Sequence, residues 1–188
     1  MKKLWLLLAA ASLAACARNG VPPPPPLPPP PPLPPVFAPL PQGGVDRYMD
    51  GLESDLRARL RGEGVAVARR GEDIVLNFQN DRLFDGAVLG SGGAGLLDDV
   101  ALVLAHYGRT AVLVNGYTDT TGSADQNLAV SQKRAALVAD ALAADGVDDR
   151  RLEAHGFGAT GLKVATGDHV SEPRNRRIEI RISARASG

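Results

Sequence analysis

Apolar residues along this chain recur with two periods, and the period changes where the elements change. Tyr48, Met49, Leu52, Leu56 and Leu60 fall on one face of a helix running from about Asp46 to Leu60. The period then shortens to two, with Val65 and Val67 facing Ile74, Leu76 and Phe78 across Arg70-Gly71-Glu72-Asp73, the mark of a β-hairpin. A glycine-rich loop and a helix from about Leu96 to Tyr107 follow. Ala111 to Val114 read as a buried strand leading into Gly116. Ser123 with Gln126 fits a capping box, and Leu128, Ser131, Ala135, Val138 and Leu142 then repeat at helical spacing until Gly146. A short strand around Arg151 to His155, a long loop and a last strand from Arg177 to Ser183 complete the pattern, with Ile178, Ile180 and Ile182 alternating against Glu179 and Arg181. This order predicts an α+β fold, a two-layer sandwich whose mixed β-sheet carries helices on one face, preceded by the amphipathic helix and the hairpin.

The first 43 residues follow neither period. Met1-Lys2-Lys3 and the apolar run from Leu4 to Ala15 read as a signal peptide, basic at its start and too short to span a bilayer. Leu13-Ala14-Ala15-Cys16 resembles a bacterial lipobox, in which cleavage before the cysteine is followed by acylation. Cys16 is the only cysteine in the chain, and several acyl chains on one residue give stable membrane attachment where one would hold only marginally. Ala17 after the cysteine favours the outer membrane, by resemblance to the sorting rule of enteric bacteria. Fourteen of the 15 prolines lie between Pro22 and Pro41. Such a segment lacks backbone donors and favours polyproline II, reaching roughly 60 Å at about 3.1 Å per residue. The expected division is a signal peptide at 1–15, a lipidated N-terminus at 16–21, a polyproline II linker at 22–43, a helix plus the first hairpin strand at 44–72, and a binding domain at 73–188.

Charge narrows the partner. The chain holds 21 basic and 21 acidic residues, and loss of Lys2 and Lys3 with the signal leaves 19 basic residues. No basic excess remains for a nucleic-acid surface. Asp119 stands where a strand should end, and Arg134 stands on the following helix, with Asn127 on the same side of it. A carboxylate that takes an ammonium and a guanidinium fork that takes a carboxylate make a two-point receptor for a zwitterion such as an amino-acid head group. The same two residues equally suit an ion pair with each other or a helix cap.

The wider pattern resembles the OmpA-like C-terminal domain family. Gly116-Tyr117-Thr118-Asp119, Gly122, Asn127, Val130-Ser131, Arg134-Ala135 and Asn175-Arg176-Arg177-Ile178-Glu179-Ile180 carry the resemblance, which spans about Asp73 to Ile182. It implies non-covalent binding of peptidoglycan, with Asp119 and Arg134 gripping the ammonium and carboxylate of diaminopimelate in the peptide stem. It also implies that Asn127 and Arg176 line or brace that pocket and that Asp85, in Leu83-Phe84-Asp85, is an acidic position after the first core strand. Val130-Ser131 replaces the family's Leu-Ser, and Ser171-Glu172 stands where many members carry Gly-Arg.

Other chemistries find little support. Gly90-Ser91-Gly92-Gly93-Ala94-Gly95 and Gly156-Phe157-Gly158-Ala159-Thr160-Gly161 both spell G-x-G-x-x-G, but the first lacks a core strand immediately before it and the second lacks a helix after it. No cofactor is expected. His106, His155 and His169 are scattered without ligand spacing, so no metal site is expected either. No nucleophile elbow is present, and Arg134 beside Asp85 and Asp119 would keep an acid ionised rather than poise it for glycan hydrolysis. The reading is a non-enzymatic tether, lipid-anchored in the outer membrane through acylated Cys16, whose domain faces the periplasm and binds peptidoglycan. The alternative is an envelope protein-interaction module of the same fold that recruits a division, secretion or motor complex through the first helix. Protein partners and a homodimer stay open.

Overall fold

The hairpin turn shows how the sheet begins. In the computed structural model, which describes residues 44–185 of the chain, β1 (Ala66–Arg70) and β2 (Asp73–Gln79) pair antiparallel, with Gly71 at the turn taking φ +62°. The signal, Cys16 and proline-linker readings lie outside the described residues. β2 pairs with β7 (Arg177–Ala184), which pairs with β5 (Thr110–Tyr117), and β6 (Leu152–Gly156) lies parallel to β5 at the far edge. The strand order is β1-β2-β7-β5-β6, all antiparallel except the last pair.

Register lines up the inward side chains in rows across the sheet. Ile74, Ile182, Val112 and Leu152 form one row, and Leu76, Ile180, Val114 and Ala154 form the next. Period-two alternation places every one of these on the same face. Burying each large aliphatic side chain contributes roughly 1.5–3 kcal/mol. The third row is different. Phe78 and Ile178 continue it, but β5 and β6 supply Gly116 and Gly156, which sit side by side.

Three helices cover this face. α1 (Val45–Arg59) buries Met49, Leu52 and Leu56 in the same core as the sheet, and Leu60 just past its end joins them. The face that the alternative reading offers to a partner is therefore used within the chain. α1 is fastened by polar contacts as well: Tyr107 Oη donates to Asp55 Oδ2 at 2.7 Å, and the Arg109 N–H donates to Tyr48 Oη at 3.0 Å.

The sequence reading departs from the structure between β2 and β5. α2 (Asn80–Leu83) and a two-stranded hairpin, β3 (Phe84–Asp85) with β4 (Val88–Leu89), stand where only a loop was expected. α3 (Ser91–His106) begins about five residues earlier than the apolar period shows. Its glycines explain both points, since a Cβ on Gly93 would land on the Leu83 carbonyl. Glycine lowers helix propensity, yet only glycine lets this turn of α3 touch the backbone of α2. Beyond α3, the buried Arg151 donates to the carbonyls of Leu104, Tyr107 and Thr110 at 3.0–3.1 Å, satisfying backbone acceptors at and just past the end of α3.

α4 (Ala124–Ala144) carries the capping box that the sequence predicts. Ser123 Oγ accepts from the Gln126 N–H at 3.2 Å, and Gln126 Oε1 accepts from the Ser123 N–H at 3.1 Å. Gly116 and Gly156 let this helix lie almost on the sheet, because a Cβ on either would strike the backbone of Ser131 or Gln132. That close approach fixes the height of Asn127 and Arg134 over the end of β5.

Candidate functional site

β5 ends at Tyr117, and the next two residues turn toward the start of α4. The Thr118 N–H donates to the Gly158 carbonyl at 2.8 Å, tying this turn to the loop after β6. Asp119 is buried by the turn, its side chain only 3% exposed. Both carboxylate oxygens are engaged. Oδ1 accepts from the Thr121 N–H at 3.2 Å and from the Thr121 hydroxyl. Oδ2 accepts from the Glu172 N–H at 3.2 Å and from Arg176 Nη1 at 2.7 Å. Burial pushes the Asp119 carboxyl up, but the Thr121 hydroxyl, Arg176 and the two backbone donors together outweigh it and hold the group below its ordinary 3.8. At neutral pH it is a carboxylate and nothing else.

Arg176 is the cation this carboxylate holds. Nη1 also donates to Ser171 Oγ at 3.1 Å, and Nη2 reaches Asp81 Oδ2 at 3.5 Å. The hydrogen bond to Asp119 raises the pKa of the guanidinium, and the side chain keeps 25% exposure. Its neighbours in the Asn175-Arg176-Arg177 motif are divided among other tasks. The buried Asn175 clamps Val164, accepting from its N–H at 2.8 Å and donating to its carbonyl at 2.9 Å. Arg177 lies 3.8 Å over the Tyr117 ring and donates to Glu179 Oε1 at 2.7 Å.

Arg134 approaches from α4. Its guanidinium lies 5.5 Å from the centre of the Phe84 ring, and Nη2 donates to the Gly86 carbonyl at 3.2 Å, so the β3–β4 hairpin braces it. Burial lowers its pKa most, the positive charge of Arg176 adds to that, and the charges of Asp81 and Asp119 oppose it. An arginine stays protonated through such a shift. Arg134 thus sits in the field of Arg176, Asp81 and Asp119, while the guanidinium in direct contact with Asp119 is that of Arg176 rather than that of Arg134. Asn127, nearly buried on the first turn of α4, places its amide oxygen beside Gly122. Asp85 lies between Phe84 and Gly86, the two residues that brace Arg134, and lines a cavity together with Asp81. It is exposed on the β3–β4 hairpin, with its carboxylate lying over Gly90.

Four further residues complete the arrangement: Thr121, Ser171, Glu172 and Asp81. Thr121 had a readable signal, since an Asp two residues before a Thr favours a local side-chain turn. Ser171, Glu172 and Asp81 come to the site from sequence-distant segments with no local signal. Around it stand exposed apolar side chains, Leu128, Val130, Phe157 and Val170. Phe157 stacks on Tyr117 with ring centres 5.3 Å apart.

The chemistry available is recognition of charge. Two partly exposed guanidinium groups, each within the other's electrostatic field, can act on an anion together, and a neighbouring carboxylate offers a place for a cation. Ser131 is no nucleophile here, because Oγ donates to the Leu128 carbonyl at 2.9 Å and accepts from the Gly158 N–H at 2.8 Å. Among the described residues no group of three His, Cys, Asp or Glu side chains could hold a metal ion.

Residues 84–176 match the OmpA family. The chain is 45% identical to the probable lipoprotein YiaD of Escherichia coli over 75% of this chain and 65% of that protein. It is 36% identical to the peptidoglycan-binding protein ArfA of Mycobacterium bovis over 51% of this chain and 29% of that protein. It therefore spans less than two thirds of either of these curated relatives. Among solved structures, the cell wall anchor of the T6SS from Pseudomonas aeruginosa superposes with a TM-score of 0.57 at 29% identity, covering 74% of this chain and 96% of that one. Its motifs, its mixed sheet with helices on one face and these likenesses together establish that the chain belongs to the OmpA-like domain family.

Proposed function

We propose that this protein binds peptidoglycan non-covalently through the diaminopimelate of the peptide stem and tethers the outer membrane to the cell wall. The observation that carries this reading is the cluster of Asp119, Arg176 and Arg134 where β5 meets α4. Arg134 and Arg176 offer forked donors to a carboxylate, Asp119 holds Arg176 in place for it, and Asn127 borders the cluster. Relatives named as a peptidoglycan-binding protein and as a cell wall anchor support it. So does the sequence of the N-terminal segment, where acylated Cys16 would supply the membrane end. Among the described residues no helix is long and apolar enough to cross a membrane.

No catalytic step is part of this function. Asp119 is held ionised by four donors, which suits a fixed charge and not a general acid. Each site need not bind tightly, because confinement beside a repetitive polymer raises the effective concentration and lets many weak contacts hold together. The second reading, a recruiting module, loses the feature that motivated it, since α1 spends its apolar face on its own core.

Sedimentation with purified sacculi tests the proposal. The full chain is expected in the pellet, and Arg134→Ala and Asp119→Ala are expected in the supernatant. Equal pelleting of all three would refute the clamp.

A further inference from the structure

We propose that the sheet carries a second site on the face away from the helices, a cationic pocket over β1, β2 and β7 that binds the phosphate group of a small anion or of a lipid headgroup. The inference does not rest on the peptidoglycan reading, because none of Asp119, Arg134 and Arg176 lines this pocket. Strand alternation builds it. Ile74, Leu76, Ile178, Ile180 and Ile182 point into the core, so Val75, Asn77, Arg177, Glu179 and Arg181 point the other way. Ala66, Ala68 and Arg70 join that outer face through their register with Asn77, Val75 and Asp73. Two alanines on the edge strand leave room that larger strand residues would fill, and residues 161–163 wall one side. The cavity measures about 450 Å³, a size that admits a small ligand.

Its charge is one-sided. Arg70, Lys163, Arg177 and Arg181 line it with Glu179 as the one carboxylate, in a chain whose basic and acidic residues are equal in number. Glu179 already accepts from Arg177 Nε at 2.7 Å. Arg177 is engaged too, lying over the Tyr117 ring and donating to the Gly161 carbonyl at 3.1 Å. The other three cations are exposed and lightly held. Arg181 Nε stands 3.8 Å from Asp73 Oδ2, too far for a hydrogen bond, and the other oxygen of that carboxylate accepts from Ser183 Oγ at 2.7 Å. Among the described residues the side chains of Arg70 and Lys163 make no hydrogen bond or ion pair. Like charges gathered on one wall repel, and a bound anion relieves them. A single fork already satisfies a carboxylate, whereas three separate cations match a phosphate, with its nearly two charges and three acceptor oxygens. The buried Val75 and the two alanines give an apolar floor for the carbon that carries it.

The test follows the backbone amide resonances of the full chain in nonionic detergent at constant ionic strength. Inorganic phosphate is expected to shift the amides of residues 66–70, 161–163 and 177–181 saturably, and chloride is expected not to. Arg70→Gln and Lys163→Gln are each expected to weaken this binding about ten-fold, the scale of one charge-assisted hydrogen bond, with an unchanged melting temperature. Lys133→Gln, exposed on α4 across the sheet, is expected to keep the wild-type response. Repeating the measurement in phosphatidylcholine nanodiscs with and without phosphatidate separates the sources. Shifts from phosphatidate mark a lipid headgroup, and shifts from dissolved phosphate alone mark a soluble ligand. No saturable shift from either source, shifts that chloride reproduces, or wild-type affinity in either pocket variant overturns the site.

Discussion

Asp119 has an energetic role that its position alone explains. It is buried and ionised, and it is satisfied by Thr121, by the backbone of residue 172 and by Arg176. Replacing it with Asn removes a charge that one cation and one backbone loop were arranged to meet, and we expect a loss of roughly 1–3 kcal/mol. The same residue makes stability acid-sensitive. Its folded-state pKa lies below the ordinary 3.8, so its contribution is complete above that value and is lost as pH falls through the lower folded value. Glu172, held at about 2 by its hydrogen bond and ion pair with Arg174, titrates out over the same acid range. Thermal melts between neutral pH and pH values below 4 should show a steeper acid loss in the wild type than in Asp119→Asn. At this scale the sequence was legible for Asp119, Arg134, Asn127 and Arg176, whose spacing carried the resemblance. Asp81 was not legible, because nothing local announces that a polar residue after a strand will be brought against an arginine 95 positions later.

The elements place these residues through one unusually close contact. The paired glycines at 116 and 156 leave the sheet without side chains beneath Ser131 and Gln132. Overfilling such a gap forces backbone to move, at about 1–3 kcal/mol. Gly156→Ala should therefore lower the melting temperature and also weaken wall binding, because raising α4 moves Arg134 away from Arg176. Calorimetry and sedimentation on the same sample check both effects. Gly156 was read in the sequence only as part of a rejected G-x-G-x-x-G pattern and Gly116 as the strand end that opens the Gly116-Tyr117-Thr118-Asp119 motif, and their packing use depends on a helix placed over them, which periodicity does not report. The early start of α3 was missed for a related reason. Its first turn is written in Gly92, Gly93 and Gly95, whose low helix propensity hides an element that tertiary contact requires. The capping box of α4 was legible because both of its hydrogen bonds lie within four residues of chain.

Across the whole molecule, α1 is part of the domain rather than an appendage. Its apolar stripe completes the core, and Tyr107 with Asp55 and Tyr48 with the Arg109 backbone close the seam. Burial pushes the Tyr107 hydroxyl up first, and its hydrogen bond to Asp55 and that residue's charge push it further, to about 12. A folded pKa above the unfolded 10.0 stabilises fully below pH 10 and loses that contribution as pH climbs toward 12. Tyr107→Phe should cost about 1 kcal/mol near neutrality and remove part of the alkaline unfolding step, read by tyrosinate absorbance against circular dichroism. In the proposed tether this seam joins the N-terminal side of the domain to its core. What decides between a tether and any other use of the fold is whether the cationic pair reads the stem carboxylate. The direct measurement is the affinity of the full chain for a diaminopimelate stem with that carboxylate free and with it amidated. We predict at least about ten-fold weaker binding to the amidated stem, abolished as a difference in Arg134→Ala; equal affinity of the wild type for both stems would contradict the account.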